Sequence, residues 1–422
     1  MSRRIPLVLL GLVILVVASS AGAATRSVDL GQVDLSTTEG VAAYLSSKGL
    51  TGKGFVVQRG PLNYAGPKCP GRTWNCTKKT KVVQVASGKH GKNRADCDGS
   101  LTQTTTAGTT TIRCIVVQSA PSGRNHARCS LEAKDLSPVV IECQITQTNT
   151  DGDNVARVHQ RVLQRDGADQ RATLNAQVTQ TNGTGDNESN VKQTIAQRSR
   201  EVSMANAPTQ NQEGRFSGRI AQTSASGSND SRLIQNLNQK GTASGGTNIV
   251  QRQFGDHFGD VDQTIGSVVG PSIATGKSKP KPPKGSKSKS KSFSRSFARQ
   301  TEDQRLRGPG QQTQIGPQSC CSTQIGGDQD KTQVRIRQRS HQQASQATAE
   351  QSLSLTGTCT TVGDCGIRHR GQNNKDSIRV LQRCVAPEGG TCSLFVPTTC
   401  GSEGCVSGGG GEGGSVVTRR RR

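Results

Sequence analysis

Long stretches of the chain alternate inward and outward residues with a period of two, but the inward set is mixed. In Val191-Lys-Gln193-Thr-Ile195-Ala-Gln197 one face carries Val191 and Ile195 together with Gln193 and Gln197. Period two predicts a strand, because successive side chains point to opposite faces. The pattern recurs at Val158-His-Gln160-Arg-Val162-Leu-Gln164 and at Leu233-Ile-Gln235-Asn-Leu237-Asn-Gln239. A Gln followed by a turn-forming run precedes each copy: Gln147-Thr-Asn149-Thr-Asp-Gly-Asp-Asn154, Gln180-Thr-Asn182-Gly-Thr-Gly-Asp-Asn187 and Gln222-Thr-Ser224-Ala-Ser-Gly-Ser-Asn229. Gly, Asn and Asp tolerate positive φ, so each unit is expected to be strand, tight arc, strand. The copies start 33 and then 42 residues apart.

A lone hairpin would bury these amides unsatisfied, which is costly. Copies stacked in register remove the cost, since each amide donates to one neighbour and accepts from the other. Gln147, Asn149, Gln160, Gln164, Gln180, Asn182, Gln193, Gln197, Gln222, Gln235 and Gln239 are therefore predicted to form ladders. The expected fold class is all-β: β-solenoid-like strand–turn–strand repeats over 144–265. Related units return at Gln324-Ile-Gly-Gly before Val334-Arg-Ile336-Arg-Gln338, and at Gly371-Gln-Asn373-Asn374 before Ile378-Arg-Val380-Leu-Gln382. They predict a second array over 313–405, whose alternate face carries Arg335, Arg337, Arg339, Arg379 and Arg383.

Composition explains why amides are needed. Only 2% of the 422 residues are aromatic and 30% hydrophobic, while Gln accounts for 38 and Gly for 50. Such a chain does not build the aromatic-rich core of a large α/β enzyme. Short runs at Phe55-Val56-Val57, Lys81–Val85 and Ile112–Val117 predict strands of a Cys-rich β module over 55–143. Its Trp74, between Cys69 and Cys76, is either packed beside a small disulfide loop or a ligand-stacking ring. Capping-box spacing at Ser36-Thr-Thr-Glu39 predicts one short helix ending near Gly49, within an N-terminal segment 24–54.

Arg3 and Arg4, the apolar run Ile5–Ala18 and Ala21-Gly-Ala23 have the form of a secretory signal peptide, 1–23. Secretion implies an oxidising compartment and no membrane span after cleavage. The fourteen Cys are then disulfide candidates: Cys69, Cys76, Cys97, Cys114, Cys129 and Cys143 in one group, and Cys320, Cys321, Cys359, Cys365, Cys384, Cys392, Cys400 and Cys405 in the other. Spacing leaves the pairing open. No C-x2-C pair occurs and the six His are dispersed, so neither a metal nor another cofactor is expected. No catalytic motif is present, and no enzymatic activity or small-molecule substrate is expected.

Charge supplies the functional expectation. The formal charge is +24. A basic linker, 266–312, carries Lys277, Lys279, Lys281, Lys284, Lys287, Lys289, Lys291, Arg295 and Arg299 and is expected to be disordered. A Gly-rich basic tail, 406–422, ends in four Arg. These residues point to non-specific binding of anionic polymers: a wall polymer, acidic polysaccharide or extracellular DNA. The expectation is a secreted structural or adhesive protein of the cell surface or matrix. The alternatives are a ligand-binding module (55–143) on a repeat stalk and a largely disordered polycation.

The repeat resembles the curlin repeat of secreted bacterial fibres. Gln180, Gly185, Asn187, Gln193 and Gln197 stand nearest to that pattern, and Gly371, Asn373, Asn374 and Gln382 match it in part. The resemblance implies stacked strand–turn–strand units with Gln and Asn ladders, and self-association through them.

Overall fold

The computed structural model describes residues 54–266 and 293–407, less 89, 103–107, 166, 200–208, 244–248, 327–331, 347, 375, 386–390 and 402–403, together with Ala43 and Ser46. Ala43 and Ser46 are helical; the rest of the expected helix, the signal segment, Lys277 to Lys291 and the tail beyond Ser407 lie outside the described residues. The chain divides into Met1–Thr51 and Gly52–Arg422, and every described strand belongs to the second unit.

That unit is nearly all β, a two-walled solenoid. The first rung is β1 (Val56–Gly60) and β2 (Leu62–Ala65); β3 (Asn75–Thr77) pairs with β2. β4 (Lys81–Ala86) and β5 (Gly91–Thr102) form the second rung. β6 (Thr110–Lys134) and β7 (Val139–Arg165) each pass through an arc and supply a whole rung. Rungs five to nine are β8 (Asp169–Asn182) with β9 (Asn187–Ser199), β10 (Thr209–Ser224) with β11 (Asn229–Thr242), β12 (Val250–Ile265) with β13 (Ser294–Arg307), β14 (Gln311–Ile325) with β15 (Gln333–Ala344), and β16 (Glu350–Thr361) with β17 (Asp364–Gln372). The first strand of each rung lies in one wall and the second in the other. Successive rungs pair in parallel, about 4.8 Å apart. At the far end β18 (Ser377–Val385) and β19 (Cys392–Gly401) run antiparallel to β17 and β16, and β20 (Gly404–Ser407) runs antiparallel to β19.

Amides hold the interior. Gln58, Gln84, Gln118, Gln147, Gln180, Gln222, Gln263 and Gln324 form one continuous ladder, each Nε2 donating to the Oε1 of the preceding rung. In the other wall Gln160, Gln193, Gln235, Gln300 and Gln338 form a second, and Gln164, Gln197, Gln239, Gln304 and Gln342 a third. Two more ladders start at Gln170 and at Gln210. The second Gln193 N–H is used too, donating to the carbonyls of Leu174 and Ser217. The buried amides are thereby satisfied along each ladder, except at the far ends, where the Oε1 atoms of Gln338 and Gln342 have no partner.

Asn149 and Asn182 depart from the ladder expectation. Both are buried, but they donate to the arc carbonyls of Gly123 and Gly152 rather than to each other. At the mouth of the arc the preceding turn's carbonyl competes with the counterpart amide and takes the bond. The asparagine ladder is instead Asn63, Asn93, Asn125, Asn154, Asn187 and Asn229, and it donates in the opposite direction.

Aliphatic columns fill the spaces between ladders, as in Val158, Val191, Leu233, Ala298, Ile336 and Ile367. The walls are too close for large residues on both sides. Leu233 therefore faces Gly218, where an added Cβ would lie 2.6 Å from the leucine. Buried ionisable groups interrupt the columns, Glu302 and His257 among them. Glu302 follows Leu237 and accepts hydrogen bonds from Gln318 and Ser340; burial pushes its pKa up to about 8. His257 stacks on Phe216 at 4.6 Å, and burial lowers its pKa to about 3.

Three expected boundaries shift. The Cys-rich segment 55–143 is no separate module: its rungs carry the same Gln and Asn ladders, and β6 pairs with β7 along its whole length. The two arrays are one, because β12 pairs with β14 and β11 with β13 across the basic segment. Residues 294–307 of the expected linker are β13, with Ser294, Ser296, Ala298 and Gln300 inward. The unit at Ile378–Gln382 belongs to the antiparallel end, not to a further parallel copy.

The disulfides join cysteines close in sequence. Cys97–Cys114 and Cys129–Cys143 link the second strand of one rung to the first strand of the next. Cys69–Cys76, Cys359–Cys365 and Cys384–Cys392 staple the ends. Cys400 is also disulfide-bonded, and the register sets Cys405 opposite it. Cys320 and Cys321 are free, contrary to expectation: as neighbours on β14 they point to opposite faces. Burial, followed by Asp260, raises both thiol pKa values, that of Cys320 to about 12. Trp74 is half-buried, edge-on to Tyr64 at 6.2 Å.

Candidate polyanion-binding face

Outward positions in a solenoid form columns, one residue per rung, so a repeated residue type becomes a line of identical groups. In the second wall Arg165, Arg198, Lys240 and Arg305 occupy one such column over four rungs. Their backbones are about 4.8 Å apart. A groove of about 350 Å³ beside them is lined by Arg198, Lys240, Arg305 and Arg307.

The density rises toward the antiparallel end. Arg299, Arg337 and Arg368 share one column, and Arg339, Arg370 and Arg379 share another. Arg335 and Arg383 flank Gly366 in a third. All eight arginines are exposed. Asp364 pairs with Arg383 at 3.0 Å, and none of the other seven has an acidic partner among the described residues. Arg232 and Arg337 each lie 5.6 Å from the Phe297 ring, a cation–π clasp that holds both guanidinium groups on the face.

Elsewhere, ion pairs are frequent. On the first wall Arg113 pairs with Glu142, Arg171 with Asp169, Arg215 with Glu213 and Arg219 with Asp260. On the early rungs of the second wall Arg94 pairs with Asp96 and Arg157 with Glu188. His159 registers the field there: burial and then Lys192, Arg161 and Arg128 lower its pKa from the ordinary value.

Of the residues expected to bind polyanions, Arg295 and Arg299 are exposed on β13, inside the stack rather than in a linker. Lys277, Lys279, Lys281, Lys284, Lys287, Lys289 and Lys291 lie outside the described residues. Sequence reasoning misses Arg368 and Arg370, although Gly366-Ile-Arg368-His-Arg370 has the same alternation as Arg335 to Arg339. No group of His, Cys, Asp and Glu suited to a metal occurs among the described residues, and no described helix is long and apolar enough to cross a membrane. No protein-family model matches the chain, and no curated protein or solved structure matches it.

Proposed function

We propose that the chain is a secreted structural or adhesive β-solenoid of the cell surface or extracellular matrix, which grips anionic polymers through the arginine face of its second wall. One observation carries this reading: arginines stand directly opposite arginines on adjacent strands. Like charges in such pairs destabilise a sheet. Two guanidinium charges about 5 Å apart repel by about 0.8 kcal/mol even in water. A fold that places Arg337 beside Arg368, and Arg370 between Arg339 and Arg379, accepts that repulsion where matched pairs would stabilise it. A bound polyanion reverses the sign of the energy.

Disulfides between near neighbours suit an oxidising compartment. A wall with one cation per rung suits a polymer with repeating charge, and the Lys-rich sequence between β12 and β13 adds to the chain's net positive charge. Binding of the full chain to dextran sulfate over a range of salt tests the reading. A variant with Arg337, Arg339, Arg368 and Arg370 all changed to Gln is expected to bind at least about tenfold more weakly, with a shallower salt dependence. Unchanged affinity in that variant would sink the proposal.

A further inference from the structure

The arginine face is not uniform. In the column Arg335–Gly366–Arg383 the middle rung has no side chain, and a Cβ built on Gly366 meets nothing within 4 Å. The gap opens a notch of about 240 Å³, lined by Arg335, Arg337, Arg368, Arg383, Leu381 and Asp364. Asp364 fixes Arg383 through two hydrogen bonds, at 3.0 and 3.1 Å, which leaves the other three guanidinium groups free of carboxylates among the described residues. Four guanidinium forks line an open space several waters in size, with room for an oxyanion and part of the unit that bears it. Gly366 has no positive φ, so its backbone does not demand glycine. What the glycine supplies is room.

Guanidinium pairs match oxyanions bidentately, and several forks around one centre favour a compact group presenting three oxygens over a planar carboxylate. We propose that the notch is a binding site for a tetrahedral oxyanion, a sulfate or phosphate monoester, carried on the polymer that lies along the face. The inference rests on the polyanion reading and adds to it a preferred chemical group. Leu381, 44% exposed at the rim, offers an apolar contact to the carbon skeleton that bears the ester.

The test uses the full, oxidised chain with dextran sulfate, dextran phosphate and carboxymethyl dextran of matched length and charge density. The wild type is expected to prefer at least one tetrahedral ester over the carboxylate by about tenfold, and the stronger of the two names the group. Gly366→Phe fills the notch and keeps every charge; it is expected to bring the three polymers within about twofold of one another while leaving carboxymethyl dextran binding unchanged. Gly366→Gln repeats the test with a smaller side chain should the Phe variant melt early. A wild type without preference, or a folded Gly366 variant that keeps it, overturns the site. A wild type that binds none of the three overturns the broader polyanion reading itself.

Discussion

Rungs two to four and rungs five to eight hold the same narrow, aromatic-poor interior in different ways. In the early rungs one inward column carries Cys97 and Cys129, and the facing column Cys114 and Cys143, bonded across the core. In later rungs these columns continue as Val191 and Leu233 on one side and Ala176 and Gly259 on the other. The second-wall column that is Gly99 and Leu131 beside the disulfides becomes Gln160, Gln193, Gln235, Gln300 and Gln338 beyond them. The first-wall Gln ladder and the Asn ladder run through both regions, and the staples stand in only for the second-wall ladder. A staple fixes one pair of strands, whereas a ladder ties each rung to both neighbours and grows with the stack.

Breaking the staples should have the largest effect. Replacing Cys129 and Cys143 with Ser is expected to cost about 3 kcal/mol, as for a loop of roughly fifteen residues. Hydrogen exchange should then quicken about a hundredfold over 110–149 and stay unchanged over 187–242. Equal quickening in both regions would mean that the ladders depend on the staples. Next comes Gln193→Ala, expected to cost about 2 kcal/mol, because it strands the Gln160 acceptor and opens a small cavity. Its exchange footprint should centre on rungs four to six.

A pH titration sharpens the comparison further. Only the ladder region contains the buried Glu302, whose folded pKa is raised to about 8 from 4.5. Its stabilising share is full below pH 4.5 and is lost as pH rises through 8, with a slope of at most about 1.4 kcal/mol per pH unit. His257, lowered to about 3 from 6.5, acts in the other direction: stability falls as pH drops from 6.5 toward 3. Glu302→Gln should flatten the fall in stability between pH 4.5 and 8 measured by denaturant melts; an unaltered fall would place the loss elsewhere. The smallest effect is local. Polyanion binding should raise the His159 pKa by a fraction of a unit, read by proton NMR, as the neighbouring cations are neutralised.

Much of this architecture is legible in the sequence. The alignment of Gln147, Gln180 and Gln222 is the actual register. The early rungs are hidden because Val82–Val85 and Ile115–Val117, with dense cysteines, resemble an independent module. Even so, the spacing from Gln118 to Asn125 equals that from Gln180 to Asn187. The reversal at β18 is invisible in principle, since a period of two reads the same in both directions. β13 is masked by its basic neighbours, whose charge obscures the small inward residues Ser294, Ser296 and Ala298. Arginine alternation shows in the sequence, but the like-charge pairing on which the proposed function rests depends on register between distant segments.

The main Gln ladder connects Gln58 to Gln84 over 26 residues and Gln263 to Gln324 over 61, yet those two bonds measure 2.8 and 2.5 Å. The molecule counts turns and ignores the length of chain between them. An insertion at an edge leaves every inward contact in place, and doubling a loop adds only about 0.6 kcal/mol of closure entropy. Between the end of β12 at Ile265 and the start of β13 at Ser294 the chain makes such an insertion. It is a natural port for a grafted peptide, which the solenoid would display at a fixed height along its axis without being rebuilt around it.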